Sequence, residues 1–155
     1  MWPELKEEVE LELAMLREHL DAFADLRRVS LDREPNRVEL MALAGMLHSF
    51  YSGVENILKR VAIHCDGGPP HRASWHQSLL ENMSEPGPKR PSVLSKELRG
   101  RLKNYLDFRH FFRQAYSFQL NWAKMAPLVR DCDGVFSAFD GEIGAFLHAI
   151  RPTPK

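Results

Sequence analysis

The chain has 155 residues, 44% of them hydrophobic, with 21 Lys and Arg against 21 Asp and Glu, so its formal net charge is zero. That length supports one domain with a substantial core, and a neutral total gives no whole-chain attraction to polyanions. Two cysteines, Cys65 and Cys132, do not make a disulfide framework, and no apolar run approaches the ~18 residues needed to cross a membrane. With Met1 read as the native start and no basic-then-apolar leader behind it, the expectation is a cytoplasmic protein with reduced thiols.

Leu5, Val9, Leu13, Leu16, Leu20, Phe23 and Leu26 recur at spacings of three and four, which predicts one long amphipathic helix over residues 1–30. Pro3 suits a first turn, and the acids clustered near the start favour the positive end of the helix dipole. The same spacing fits a coiled-coil seam, but in a chain of this size it reads as bundle packing. Residues 31–36 form a turn in which Pro35 stops the first helix, and Asn36 with Glu39 makes a capping pair for the next.

The second helix runs over residues 37–65 on a stripe of Leu40, Leu43, Leu47, Phe50, Val54, Ile57 or Leu58, and Val61. Gly45 and Gly53 each cost ~1 kcal/mol inside a helix relative to alanine, which predicts the close approach of another helix. Residues 66–72 are a loop by their glycines and prolines, and Ser74 with Gln77 predicts a capped short helix through Met83, anchored by Trp75, Leu79 and Met83. His64, Cys65, His71 and His76 crowd this region, but their spacing matches no zinc pattern, and no metal or other cofactor is expected. Residues 84–91 are the most turn-rich segment; Lys89 and Arg90 there either reach over a nucleic-acid groove or are solvated loop charges.

Ser92 suits the N-cap of the next helix, in which arginines alternate with aromatics up to Tyr116. Leu98, Leu102, Tyr105, Arg109, Phe112 and Tyr116 fall on one face of it. A guanidinium in mid-stripe must be paired, line a cleft, meet another subunit, or snorkel to water. Charge is unevenly spread along the chain: residues 1–26 carry eight acids and two bases, residues 86–130 ten bases and two acids. The basic half is the half suited to a polyanion, unless its bases contact the acidic first helix.

Beyond Tyr116, residues 122–130 read as a short helix or turn, 131–134 as a break, and 135–150 as a last helix with Phe136, Phe139, Ile143, Phe146 and Ile150 inward. Residues 151–155 are a frayed tail on a single domain of residues 1–150. The periodicities together predict an all-α bundle of four long helices and one or two short ones.

Arg109, four residues, Gln114, one residue, Tyr116 resembles the R-x4-H-x-Y signature of HepT-like proteins, minimal members of the HEPN superfamily. The runs at 50–62, 90–95 and 121–129 and the Trp75–His76 pair resemble the same group, over roughly residues 37–150. The resemblance implies a HEPN-type antiparallel four-helix bundle that pairs as a homodimer through the motif. It also implies a metal-independent endoribonuclease of a toxin and antitoxin pair, partnered by an MNT-type nucleotidyltransferase. Arg109 would stabilise the phosphate, position 114 would move a proton, and Tyr116 would accept AMP groups from the partner, which would bring negative charge into the cleft. Glu55 and Asn56 become candidate partners for Arg109, and Arg101, Lys103, His110 and Arg113 candidate RNA contacts.

Gln114 stands where the family has histidine, and an amide cannot exchange a proton near neutral pH. Positioned acid–base catalysis is typically worth ~10²- to 10⁴-fold, so Gln114 implies low or no activity by this route. His110 lies about 100° round the helix from Arg109, and Arg109 and Gln114 are about 140° apart, so a bend, a helix end or a two-fold axis is needed to bring the motif together. Two alternatives stay open: a non-catalytic HEPN module that binds RNA, nucleotide or a partner protein as a dimer, and a structural helical protein in which Arg109 sits in an ion pair.

Overall fold

The computed structural model describes residues 2–116 and 119–153. Its helices are α1 (Trp2–Ala22), α2 (Ala24–Asp32), α3 (Arg37–Cys65), α4 (Trp75–Met83), α5 (Lys96–Gln114) and α6 (Trp122–Ala149), with no strand among the described residues. Four are long and two have nine residues, the all-α bundle that the periodicities predict.

Side-chain contacts fix the topology. Along α1 and α3, His19 meets the Met46 carbonyl, Arg60 pairs with Glu12, and His64 meets Glu8, so the two helices run antiparallel. Phe50 on Tyr105 and His48 on Phe112 make α3 and α5 antiparallel. The Tyr105 hydroxyl donates to the Leu128 carbonyl, while at the other end the Ser95 hydroxyl donates to Glu142, which sets α5 against α6 in the same sense. The Trp2 indole donates to the Leu147 carbonyl and closes the ring between α6 and α1. Leu5, Leu20, Phe50, Ile57, Leu102, Phe139 and Ile143 are among the side chains that fill the space between the four. At about 1.5–3 kcal/mol for each large apolar side chain buried, this core is the main favourable term.

Several boundaries differ from the sequence expectation. The first helix breaks at Phe23, and α2 continues to Asp32 with Arg27 and Ser30 turned inward. Arg27 reaches Asp133 on α6 at 2.7 Å and the Leu20 carbonyl at 2.9 Å, so the break re-aims the chain toward α6. The Asn36 and Glu39 capping box is formed reciprocally at the start of α3. Ser74 makes no side-chain capping bond, which corrects the expected box with Gln77, and the cap of α5 is Ser95 rather than Ser92. The last two elements are one helix: α6 runs through Pro127 and through residues 131–134, because Met125, Val129, Cys132, Val135 and Phe136 keep a continuous buried stripe. Gly53 faces Leu16 of α1 so closely that a β-carbon would collide with that side chain, whereas Gly45 has open space around it.

The short α4 is held against α3 and α5 by a staple at its far end. Gly67 and Gly68 take positive φ values, 78° and 132°, that turn the chain out of α3. Arg90 then grips Asp66 in bidentate fashion at 2.8 and 2.9 Å and donates to the carbonyls of Glu85, Pro91 and Asn82. All five guanidinium donors are spent. Arg90 is therefore a buried structural residue, not a loop cation over a groove.

Candidate functional site

Arg109 projects from the middle of α5 into the angle between α3 and α4 and is 7% exposed. Its Nη1 donates to Glu55 Oε1 at 3.2 Å and lies 3.5 Å from the Ser52 hydroxyl. Its guanidinium sits 5.6 Å from the centre of the Tyr51 ring. Tyr51 and Ser52 lie four and three residues before Glu55, one turn back on the same side of α3. Burial, and then the Glu55 charge, push the Tyr51 phenol well above its usual range. Its hydroxyl has no hydrogen-bond partner among the described residues.

Glu55 holds a second group with its other oxygen. His76, on the first turn of α4, places Nδ1 2.8 Å from Oε2 and 3.2 Å from Arg109 Nη2. Trp75 stacks on the imidazole with ring centres 3.8 Å apart, and Lys59 covers the indole at 5.4 Å. Nothing in the spacing of the sequence ties His76 to Arg109, since 33 residues separate them and the loop between sets the register.

In front of this cluster lies an open cleft of about 410 Å³ between the start of α4 and the middle of α5. His76, Arg109, His110 and Arg113 line it, together with Ser74, Gln77 and Asp107. Lys103 pairs with Asp107 at 3.0 Å and offsets the one acid on the wall. Ser74 is unused as a cap, and the first amide of α4, on Trp75, donates to the Arg72 carbonyl. No side chain among the described residues accepts from the amides that follow it at the cleft edge, where the positive end of the helix dipole favours an anion. Unlike Arg90, Arg109 makes no hydrogen bond through Nε among the described residues, so it has a donor to offer an oxyanion.

The remaining expected site residues lie elsewhere. Gln114 is the last residue of α5 and exposed, on a continuous helix that keeps it about 140° from Arg109, so the two do not meet within one chain. Tyr116 lies just past the helix end and is 70% exposed, which excludes a core position for it. Asn56 is exposed on α3 and takes no part in the cluster. Arg101 packs over Gly134 of α6. The acidic face of α1 is met by Arg60 and His64 of α3, not by the basic segment.

His48, one turn before Ser52 on α3, packs on Phe112 at 5.5 Å. Burial, with the nearby charges of Arg109 and Arg113, lowers its pKa from the ordinary 6.5.

No curated protein and no solved structure matches the chain. A family described as HepT-like protein matches residues 42–150, a stretch that takes in most of α3 and all of α4, α5 and α6 and so includes every residue of the cleft. The chain belongs to the HepT-like proteins of the HEPN superfamily.

Proposed function

We propose that the cleft in front of Arg109 binds RNA through its phosphates and that the chain is a metal-independent endoribonuclease of a toxin and antitoxin pair. The observation that carries this reading is the convergence of Arg109, Arg113, His110 and His76 on one open cleft, beside the uncapped start of α4. Arg109 holds the scissile phosphate with the donors that Glu55 leaves unused, and Arg113 and His110 take the neighbouring phosphates. The exposed Tyr116 suits AMP transfer by an MNT-type nucleotidyltransferase, because its ring stands where another protein can reach it. A homodimer that pairs near the C-terminal end of α5 would use the exposed Phe111 there.

A second reading is favoured by Gln114: a HEPN module that binds RNA, nucleotide or a partner protein but does not cut, since that position cannot carry a proton. Two measurements test the proposal. Fluorescence anisotropy with a labelled RNA pool should give affinity that falls steeply with salt, and binding that ignores salt would contradict a phosphate cleft. A cognate nucleotidyltransferase should label the chain with AMP and fail on Tyr116→Phe; continued labelling would remove Tyr116 as acceptor.

A further inference from the structure

His76 Nδ1 has two close neighbours that make opposite demands. Arg109 Nη2, at 3.2 Å, can only donate, and the Glu55 carboxylate, at 2.8 Å, accepts. One ring nitrogen satisfies only one of them. The shorter, charge-assisted contact selects Nδ1–H donating to Glu55, as in carboxylate–histidine pairs that fix a tautomer. The lone pair then sits on Nε2, at the opposite edge of a ring that is 29% exposed and lines the cleft. The stack on Trp75 holds the ring plane.

We propose that His76 is the proton acceptor of RNA cleavage in this chain and supplies from α4 what position 114 lacks. This rests on the ribonuclease reading above. His76 Nε2 takes the proton of the ribose 2′-hydroxyl as the 2′-oxygen bonds to phosphorus. The bond from phosphorus to the 5′-oxygen breaks with its electron pair going to oxygen, and that oxygen takes a proton from water. The products are a 2′,3′-cyclic phosphate and a 5′-hydroxyl, and His76 returns its proton to solvent. Glu55 is a positioning residue: it fixes the tautomer, and its negative charge faces the imidazolium that forms. Arg109 Nη2 lies 3.2 Å from Nδ1 of the same ring.

The test is cleavage of a labelled RNA pool in EDTA by the unaltered chain, His76→Gln, His76→Ala and Gln114→His, each with melting temperature and RNA affinity measured alongside. His76→Gln can still donate to Glu55 but cannot carry the proton. It should lose ~10²- to 10⁴-fold in rate with fold and affinity retained. His76→Ala should regain cleavage when imidazole is added, which a purely structural histidine would not show. Undiminished cleavage by His76→Gln overturns the assignment and leaves the ribonuclease reading standing. Cleavage by Gln114→His alone also overturns it, and marks a site silenced at position 114. If no form cuts or binds RNA, the ribonuclease reading fails and the assignment fails with it.

Discussion

Glu55 and Arg109 are 5% and 8% exposed at their side chains and meet at 3.2 Å, so the one arginine in the apolar stripe of α5 is neutralised by the one acid buried on the facing side of α3. Removing one member of such a pair leaves an unpaired buried charge. Glu55→Ala should therefore cost roughly 3–5 kcal/mol in urea denaturation, and a loss under about 1 kcal/mol would show that water reaches Arg109 freely. Glu55→Gln, which keeps an acceptor oxygen, should cost less.

Arg113 lines the same cleft but is exposed and has no ion pair among the described residues. Arg113→Ala should leave the melting temperature within about a degree or two, as surface changes usually do. RNA affinity should fall, and the slope of log affinity against log salt should drop by roughly 0.7 to 1, the signature of one lost phosphate contact. An unchanged slope would place the RNA elsewhere.

His48 reports on the cleft from behind. Because its folded pKa is lowered, the fold favours the neutral ring, and its contribution to stability is complete above the ordinary 6.5 and declines as pH falls below that value. His48→Gln should flatten that decline. Bound RNA should also raise the His48 pKa by screening Arg109 and Arg113, which NMR titration of the ring would read directly. No movement on binding would contradict a polyanion at these two arginines.

The two glycines of α3 should respond in opposite directions. Gly45→Ala enters open space and should stabilise the chain by roughly 0.5–1 kcal/mol through helix propensity alone. Gly53→Ala drives a methyl group into the buried Leu16, and overpacking of this kind costs about 1–3 kcal/mol. Thermal denaturation of the two variants checks both signs.

Much of the fold is legible in the sequence because local signals agree with the period. Asn36 and Glu39 start α3 at the expected residue, and its apolar stripe carries it to Cys65. The signal misleads where local chemistry and period conflict. Residues 131–134 read as a break after a short element at 122–130, yet the buried Val129, Cys132 and Val135 carry one helix through them, with Pro127 in its second turn. The break at Phe23 is invisible for the converse reason: Leu26 continues the stripe across it, and only the reach of Arg27 to Asp133 gives the turn a purpose.

At the site, an arginine in mid-stripe asks for a partner, a cleft, another subunit or a path to water, and the resemblance makes Glu55 one of two candidate partners. The sequence marks His76 through the Trp75–His76 pair of the resemblance but not its place beside Arg109, which depends on where the loop from Asp66, held by Arg90, sets α4. Gln114 holds the motif position, while the histidine beside Arg109 comes from another helix.

On the ribonuclease reading proposed above, the cleft cuts RNA without metal although position 114 is glutamine. The rate of appearance of 2′,3′-cyclic phosphate ends from labelled RNA in EDTA, for the unaltered chain beside Gln114→His at equal folded concentration, decides it. The unaltered chain should cut, and Gln114→His should change its rate by less than about tenfold, well short of what positioned proton transfer contributes. An unaltered chain that binds RNA but leaves it intact, with cleavage only in Gln114→His, would contradict it.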